Sequence, residues 1–409
     1  MVFKTLKKII FFYLISLLFV CCYDENDKEP VTPNNPLVPT IKDVTYLIYM
    51  VGQNDLSSLL NENIDDLMKG YAKSDANANV LVYADISSKP ELYLLKKDNG
   101  NVIKKTIKTY PNQYSVDPSI MKKVIKEVME KYPAEKFAVT FSSHADGSLY
   151  RDQVIQKRSF GYEGDNGYGM NITDIRIALQ DLPKFELIMF DACMMSSVET
   201  AYEFKDLTHY MLASPNSVPG EGFPYDKILP SLLKMNVTDI IDVAKAYMNH
   251  FSTNNVEWDN FASICVADVT KMDSLALYMD SLFQDEIVCK RSETINRTKL
   301  QNFEPMYPLY DYGHWLDSIG KENKYLNKTK SALEKVVIYK NHGGYSTVND
   351  YTAELENPIK DETFCGFNTY VHSTTRYSEL EEAYKSFFTK LKWYKEAGFW
   401  RCPYYSWYE

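Results

Sequence analysis

The chain has 409 residues, of which 45% are hydrophobic and 14% aromatic, and its formal net charge is −10. The hydrophobic fraction excludes a disordered protein over most of the length. It leaves room for one large domain with a smaller extension, or for two domains. The acidic balance argues against a nucleic-acid partner, because phosphate binding needs a basic face.

The first residues have the pattern of an export signal. Three lysines precede an apolar stretch over residues 9–20, which is too short to span a membrane comfortably but suits a signal peptide. The stretch ends in Cys21-Cys22 and resembles a bacterial lipobox. Cys22 is favoured over Cys21 for lipidation because a small residue precedes it, and an ordinary cleaved signal is the alternative. The pattern predicts a signal peptide over 1–22 and a lipid anchor in the cell envelope, at the outer membrane.

Residues 23–41 are predicted to form a disordered tether. Four prolines within residues 30–39 favour an extended chain between the lipid and the folded part. The folded part is expected to begin near Lys42. We predict a main domain over residues 42–290 and a C-terminal α/β extension over residues 291–409 that packs on it.

Strands alternate with helices along the folded part. The predicted strands are 44–50, 79–84, 91–96, 102–106, 137–141, 185–190, 210–214, 261–267 and 363–371. The predicted helices are 56–68, 117–131, 173–182, 194–205, 226–234, 238–251, 269–283 and 378–396, and residues 290–302 are predicted to be an exposed loop. This alternation predicts a mostly parallel sheet with helices on both faces.

Local signals support several of these elements. Asn54 or Asp55 is a plausible cap for the first helix. Asn99-Gly100 predicts the turn of a hairpin, because both residues tolerate positive φ. Asp117 is a predicted cap, and the proline after it suits the first helical position.

Two predicted strands end in residues that can carry chemistry. His144 follows strand 137–141, and Cys193 follows strand 185–190, so the imidazole precedes the thiol by 49 positions. Caspase-like enzymes have a similar spacing. Strand ends face a crevice in an open α/β sheet, and a helix beginning at residue 194 would lower the thiol pKa. The pattern predicts a cysteine peptidase with Cys193 as nucleophile and His144 as its partner.

The other cysteines carry no comparable pattern. Five cysteines follow the lipobox, and they include no CxxC pair and no His/Cys cluster that would suggest zinc. An odd number without short spacings argues against a dense disulfide framework. Cys265 and Cys365 are predicted to lie in apolar strands as buried, inert thiols.

Several sequence blocks then occur in a fixed order. They are the opening segment 46–56, Ser143-His144, the segments 159–163 and 171–175, the nucleophile block 190–202, and the block 213–225 that contains Pro-Gly-Glu-Gly. In this order they resemble the clostripain family of cysteine peptidases, relatives of caspases, gingipains and legumains. The resemblance spans about residues 43–400, and the nucleophile and Pro-Gly-Glu-Gly blocks are its most specific parts.

The resemblance implies a caspase-like α/β/α sandwich and cleavage after Arg or Lys by the Cys193–His144 dyad. Such cleavage needs an acidic pocket, because a buried carboxylate pairs with the basic side chain of the substrate. The matching positions are Asp191, two residues before the nucleophile and on the same side of its strand, and Glu221 in a flexible loop. The backbone N–H groups of Cys193 and Ala145 are the predicted oxyanion donors.

One position departs from the family pattern. The family usually has His-Gly, whereas this chain has His144-Ala145-Asp146-Gly147. Alanine keeps the N–H but narrows the allowed backbone angles, and a misaimed oxyanion donor can cost on the order of 100-fold in rate. Asp146 is expected either to orient His144 or to serve only the turn.

The connection over residues 147–168 suggests two further sites. Members of this family can mature by cutting themselves after a basic residue in such a connection, which makes Lys157 or Arg158 a candidate, with a solvated charge pair as the alternative. The family also includes calcium-dependent members. Asp165, Asn166 and Asp174 could supply oxygen ligands, although no EF-hand spacing is present. No other cofactor is expected.

We therefore predict a lipid-anchored cysteine endopeptidase that acts on peptides or proteins. His314 and His342 are the remaining histidines retained as candidates. The first alternative is a weak or inactive relative that binds peptides or envelope partners, which the His-Ala departure favours. The second is an adhesin-like or glycan-binding protein, which the 32 tyrosines allow.

Overall fold

The computed structural model describes residues 41–148, 160–163, 168–253, 260–304, 307–348, 355–372 and 379–405. The strands are β1 (Lys42–Val51), β2 (Ala78–Asp85), β3 (Glu91–Asp98), β4 (Asn101–Thr109), β5 (Ala134–Ser142), β6 (Phe160–Glu163), β7 (Tyr168–Met170), β8 (Phe185–Asp191), β9 (Thr208–Ala213), β10 (Ser263–Asp268), β11 (Leu309–Asp311), β12 (Val337–His342), β13 (Tyr345–Val348), β14 (Leu355–Pro358) and β15 (Asn368–Tyr370).

The α-helices are α1 (Ser57–Lys73), α2 (Pro118–Lys131), α3 (Ile172–Leu179), α4 (Val198–Phe204), α5 (Tyr225–Leu232), α6 (Val237–Thr253), α7 (Met272–Phe283), α8 (Glu286–Thr294), α9 (Tyr312–Gly320), α10 (Leu326–Val336), α11 (Glu379–Phe388) and α12 (Lys392–Glu396). Among the described residues, no helix has the length and apolar content that a membrane span requires.

A single large sheet organises the described residues, with strand order β12-β10-β9-β8-β5-β1-β2-β3-β4. The strands from β9 to β2 are parallel to one another, and antiparallel strands extend the sheet on both sides. The apolar runs of the central strands fit this arrangement, because parallel strands are covered on both faces. The predicted hairpin is present, with Asn99 and Gly100 both at positive φ.

Helices cover both faces of the sheet and form two apolar layers. Alternate residues of β1 point to opposite layers: Leu47 and Tyr49 join the layer under α2, α3, α4 and α7, whereas Tyr46 and Ile48 join the layer under α1, α5 and α6. Period-two alternation within a buried strand therefore supplies both layers of the core. The predicted α/β/α sandwich is the architecture of this chain.

The C-terminal part of the chain contributes to the same body. Helix α8 runs across residue 290, and β12 is the edge strand that pairs with β10. A disulfide joins Cys289 to Cys402 over a sequence separation of 113 residues and fastens the C-terminal segment to α8. The strand β15 pairs with β11 and also approaches the turn that follows β8.

Four of the predicted elements differ from the observed ones. The helix expected from residue 194 begins at Val198, because the side chain of Ser197 accepts a hydrogen bond from the Thr200 N–H and caps it. Within residues 290–302, α8 and a 3₁₀ turn replace the predicted exposed loop. The predicted strand over 363–371 contracts to β15, so Cys365 is buried outside a strand, and the helix over 378–396 is interrupted between α11 and α12.

Candidate active site

The strands β5 and β8 are parallel neighbours whose ends lie level with each other. Ser142 pairs in register with Asp191, and the Ser143 N–H donates a hydrogen bond to the Asp191 carbonyl oxygen at 3.3 Å. His144 and Cys193 each follow two residues beyond these paired positions. The fold therefore places the predicted base and the predicted nucleophile at the same edge of the sheet.

The His144 imidazole has a partner that the sequence reading missed. Its Nε2 lies 2.9 Å from Oδ1 of Asp55, which follows β1, the neighbour of β5 in the sheet. This hydrogen bond to His144 lowers the pKa of the Asp55 carboxyl. The sequence suggested Asn54 or Asp55 as a helix cap, but α1 begins at Ser57 with Leu56 at the cap position and no side-chain cap. The missed signal was the polar run Gln53-Asn54-Asp55 in the turn after the central strand β1.

The Asp146 carboxylate does not orient His144. It accepts a hydrogen bond of 2.7 Å from the hydroxyl of Tyr307 instead. Of the two roles considered for Asp146, the described contacts do not support the orienting one, and its bond to Tyr307 links the histidine turn to the C-terminal part of the chain.

The turn after β8 separates Cys193 from the following helix. Met194 has φ of 59°, a left-handed conformation that is uncommon for a residue other than glycine. The first turn of α4 begins only at Val198, so the thiol does not sit at a helix N-terminus. The argument that the helix dipole lowers the thiol pKa is therefore wrong for this chain, because the dipole acts within the first turn.

The surroundings of the Cys193 thiol are a backbone hydrogen-bond donor and two nearby carboxylates. Its Sγ accepts a hydrogen bond of 3.3 Å from the Val218 N–H in the loop after β9. Burial, with smaller contributions from the carboxylates of Asp146 and Asp191, raises the pKa of the Cys193 thiol to about 11. Hydrogen bonds from Val218 and Ser217 act in the opposite direction. Among the described residues, no hydrogen bond joins Cys193 to His144, and Cys193 itself is half-buried.

Alanine fits at the position where the family has glycine. The φ of Ala145 is not positive, and the residue forms a bridge with Phe160 while the Gly161 N–H donates to the His144 carbonyl oxygen. The glycine requirement lies at Gly147, where φ is 75° and a Cβ would approach the Met194 carbonyl oxygen to 2.9 Å. No described residue accepts a hydrogen bond from the N–H of Ala145 or of Cys193.

Asp191 is a buried carboxylate with a defined set of partners. Oδ2 accepts hydrogen bonds from the Tyr225 hydroxyl at 2.9 Å and the Ser142 hydroxyl at 3.3 Å. Burial raises the pKa of Asp191 to about 6, and the bonds from Tyr225, the Phe223 backbone and Ser142 counteract this rise. Gly222 packs directly on the carboxylate, since a Cβ there would lie 2.8 Å from Oδ2.

Glu221, the second predicted pocket residue, faces a different part of the surface. Its side chain is 65% exposed, and its carboxylate lies 3.6 Å from Nε2 of His250 on α6. The Glu221 carbonyl oxygen accepts a hydrogen bond from the Asn63 side chain on α1. The carboxylates of Asp191 and Glu221 thus have separate partners, although Gly222, which packs on the Asp191 carboxylate, directly follows Glu221 in the chain.

The remaining candidates have other partners or lie outside the described residues. His314 Nδ1 accepts a hydrogen bond from the Gln301 N–H, and His342 Nε2 lies 2.9 Å from the Asp361 carboxylate. Asp174 accepts a hydrogen bond from the Asn171 N–H at the start of α3, which is a capping role. The candidates outside the described residues are Cys21, Cys22, Lys157, Arg158, Asp165 and Asn166.

Comparison with known proteins decides the family. The family model Peptidase_C11, described as the clostripain family, matches residues 48–406. The chain belongs to the clostripain family. Clostripain from Hathewaya histolytica is 25% identical to it over 219 residues, which cover 45% of this chain and 41% of that protein. The matched region is thus less than half of that relative's length.

Two solved structures extend the similarity over most of the chain. A secreted C11 cysteine protease from Bacteroides thetaiotaomicron, in complex with an irreversible peptide inhibitor, is 27% identical with a TM-score of 0.76, covering 87% of this chain and 99% of that one. An inactive zymogen C11 protease from Parabacteroides distasonis is 26% identical with a TM-score of 0.74, covering 88% and 99%. These matches relate this clostripain-family chain to cysteine proteases of known structure and confirm the predicted fold.

Proposed function

We propose that this protein is a cysteine endopeptidase that cleaves peptide bonds after Arg or Lys with Cys193 and His144. The observation that carries the proposal is the in-register pairing of Ser142 with Asp191. This pairing brings His144 and Cys193, each two residues further on, to the same end of the sheet. Membership of the clostripain family supports the reaction class.

The hydrogen bond to Asp55 suggests how the proton moves. Because His144 Nε2 faces Asp55, Nδ1 is the ring nitrogen available to the thiol. Nδ1 takes the Cys193 proton as Sγ attacks the scissile carbonyl carbon, and the same proton then goes to the departing amine. Water attacks the resulting thioester, with Nδ1 again as the base, and releases the carboxylic acid and the thiol.

The separation of Cys193 from His144 in hydrogen-bonding terms fits a mechanism in which substrate binding triggers proton transfer. The Val218 N–H engages one lone pair of Sγ and leaves the others for attack on a carbonyl. The N–H groups of Cys193 and Ala145 are our proposed donors to the oxyanion, and the ordinary φ of Ala145 shows that alanine causes no backbone strain there.

We assign the recognition of a basic substrate side chain to Asp191. Asp191 is only 5% exposed and lies two positions before the nucleophile. A bound guanidinium or ammonium group would therefore pair with its carboxylate at a position shielded from water. The loop around Gly222 covers the carboxylate and must shift to admit the side chain. Glu221 lies on the same loop, but its exposed carboxylate is directed to His250, so we assign it a much smaller contribution than Asp191.

A peptide panel tests the function. Among fluorogenic peptides with Arg, Lys, Asp, Asn or Leu at the cleaved position, those with Arg and Lys should be hydrolysed fast, the Leu peptide only slowly, and the Asp and Asn peptides not at all, with and without calcium. The Cys193→Ala variant should lose at least about 10⁴-fold in kcat/KM. Cleavage after Asp or Asn would refute the role of Asp191, and a rate unaffected by Cys193→Ala would refute the nucleophile.

The alternative is a catalytically weak or inactive relative that binds peptides. The hydrogen bond from the Val218 N–H to Sγ, and the lack of a hydrogen bond between Cys193 and His144 among the described residues, are the observations that favour it. Folded protein that binds an Arg-containing peptide but neither cleaves it nor reacts with an irreversible peptide inhibitor would support this alternative.

We also propose that the chain matures by cutting itself after Lys157 or Arg158. The similarity to a protease solved as an inactive zymogen supports a precursor form. Full-length protein should convert to two fragments on incubation, with a new N-terminus at residue 158 or 159, and Cys193→Ala should stay intact. A single intact band in fully active enzyme would rule out this cut.

We propose a location in the cell envelope, through a lipid on Cys22 or Cys21. The Cys289–Cys402 disulfide supports an exported protein, because such bonds persist in oxidising compartments. Mass spectrometry of the membrane fraction should find a lipidated N-terminal cysteine, and replacing both residues by alanine should release the protein from membranes.

A further inference from the structure

The peptide that follows the nucleophile is held in an unfavourable conformation. Met194 has φ of 59°, and left-handed backbone costs free energy for any residue with a Cβ. Cys193 precedes it directly, so the orientation of Sγ and of the Cys193 N–H depends on how Met194 is held. Such a conformation persists only where surrounding contacts enforce it.

One set of these contacts comes from the loop after β9. The Met194 N–H donates to the Asn216 carbonyl oxygen at 2.8 Å, and the Ser196 N–H donates to the Ser214 carbonyl oxygen at 2.9 Å. The Asn216 side chain is buried and bonded to the Phe261 and Ser346 carbonyl oxygens. The loop is therefore itself fixed to the fold.

The second contact comes from Asn368 on β15. Its Nδ2 donates to the Met194 carbonyl oxygen at 3.1 Å and to the Pro215 carbonyl oxygen at 2.7 Å. The residue is fully buried, and its Oδ1 has no hydrogen-bond partner among the described residues. The amide orientation follows from these neighbours, because a flipped amide would set an oxygen against two carbonyl oxygens.

Asn368 is in turn anchored to the start of α4. Its own N–H donates to the Ser196 carbonyl oxygen at 2.9 Å. The next two residues, Thr369 and Tyr370, donate to the buried carboxylate of Glu199 at 2.7 Å and 3.1 Å. A strand from the C-terminal part of the chain thus supports both ends of the turn that carries the nucleophile.

We propose that Asn368 is a positioning residue for the peptidase reaction. It clamps the Met194 carbonyl oxygen to the Pro215 carbonyl oxygen and thereby fixes the direction of the Cys193 thiol and N–H. The proposal rests on the proposed function, and it gives the C-terminal part of the chain a role in the chemistry that takes place at β5 and β8.

The decisive variant is Asn368→Leu, which keeps the size of the side chain but removes both donors. It should lower kcat about 100-fold and leave KM within about threefold, because misplaced reacting groups slow chemistry without weakening binding. Asn302→Leu is the matched control, since the Asn302 amide also bridges two carbonyl oxygens, those of Tyr307 and Leu309. Equal losses in the two variants, or an unchanged kcat in Asn368→Leu, would overturn the proposal.

A second variant separates positioning from folding. Asn368→Asp places a carboxylate against two carbonyl oxygens at neutral pH, whereas the protonated acid can donate one hydrogen bond again. The ratio of its kcat to that of wild type should therefore rise by about tenfold as the pH is lowered from 8 to 5, over a range where circular dichroism shows both proteins folded. A constant ratio would count against positioning.

Alkylation of the thiol tests Asn368 without requiring peptidase activity. Because burial suppresses the thiolate, loosening the turn in Asn368→Leu should speed reaction of Cys193 with iodoacetamide about tenfold, while Asn302→Leu should match wild type. If wild type cleaves no peptide, the proposed function fails, and the alkylation rates still decide the clamp. Identical rates in all three proteins would contradict it.

Discussion

The two strand ends that carry the proposed dyad are built in different ways. The His144 side chain is 43% exposed, and its partner Asp55 is 80% exposed. The Cys193 turn is enclosed instead by Asn216 on one side and Asn368 on the other. The difference shows that buried hydrogen bonds fix the orientation of the nucleophile, whereas an exposed hydrogen bond orients the base. The activity should therefore be insensitive to salt where it depends on the nucleophile side. Mutations on the nucleophile side should lower the activity more than mutations on the histidine side.

After the loss of the nucleophile itself, the largest effect is expected for the carboxylate on the nucleophile side. Asp191→Asn should lower kcat/KM for a peptide with Arg at the cleaved position by about 10²- to 10³-fold, because losing one partner of a buried charged pair costs about 3 to 4 kcal/mol. The same change should spare the slow cleavage of a Leu peptide. Glu221→Gln is the control, since that exposed side chain should matter far less. Equal losses on Arg and Leu peptides would indicate a structural role.

The pH dependence of this effect has a defined sign. Burial raises the pKa of Asp191 to about 6, so the group is neutral below that pH and charged above it. Hence kcat/KM for the Arg peptide should rise between about pH 5 and 7 through ionisation of Asp191. This rise of kcat/KM between about pH 5 and 7 should be missing for Leu peptides and in the Asp191→Asn variant.

A somewhat smaller effect is expected for the thiol itself. Since burial raises the pKa of Cys193 to about 11, iodoacetamide should modify it at pH 7.5 about 100-fold more slowly than a free cysteine peptide. The rate should keep rising beyond pH 9 instead of levelling off near pH 8.5. Intact-mass spectrometry measures it, with Cys193→Ser as the unlabelled control. A plateau below pH 9 would mean that the nucleophile rests as a thiolate.

On the exposed side the expected loss is about tenfold. Asp55→Ala should lower kcat by roughly that factor, because the imidazole loses the bond that fixes its orientation. Asp55→Asn, which can still accept a hydrogen bond, should lose less. Salt at 1 M should slow wild type toward the Asp55→Ala rate, since exposed pairs are screened. Glu62→Gln, an exposed change on α1, is the control, and a salt-insensitive rate would argue against the pairing.

The sequence predicted the parts of this site that depend on local pattern. Apolar runs followed by His144 and Cys193 were sufficient to place both residues at strand ends, because parallel strands align their carboxyl ends. The partners that hold them were not predictable in this way. Asp55 lies 89 positions from His144, and Asn368 lies 174 positions from Met194. Such contacts depend on strand order, which no local pattern specifies.

The start of α4 shows a different limit. The run from Met194 to Ser197 is compatible with helix by composition, but tertiary hydrogen bonds pull Met194 into the left-handed region and leave Ser197 as the cap. Helix propensity is a weak prior that packing overrides. The consequence was an error about chemistry, since it suggested a lowered thiol pKa where burial raises it.

The smallest expected effect on rate concerns the buried acid under the nucleophile turn. Burial raises the pKa of Glu199 to about 7, although Thr369 and Tyr370 donate to it. When the pKa of an acid is higher in the folded than in the unfolded state, the free energy of unfolding of the protein falls as the pH rises. Here it falls from about pH 4.5 to about pH 7. Glu199→Gln keeps an acceptor for both donors and removes the charge. Its kcat should therefore stay within about twofold of wild type.

Its stability should nevertheless differ from wild type in a pH-dependent way. Urea unfolding should give equal free energies at pH 4 and a variant that is more stable by about 3 to 4 kcal/mol at pH 8, since each pKa unit corresponds to about 1.4 kcal/mol. Thr329→Ser, a buried polar change in α10, controls for general pH effects. A difference that does not change with pH would mean that Glu199 remains charged in the folded protein, and that the turn holding the nucleophile is supported by a carboxylate rather than by a neutral acid.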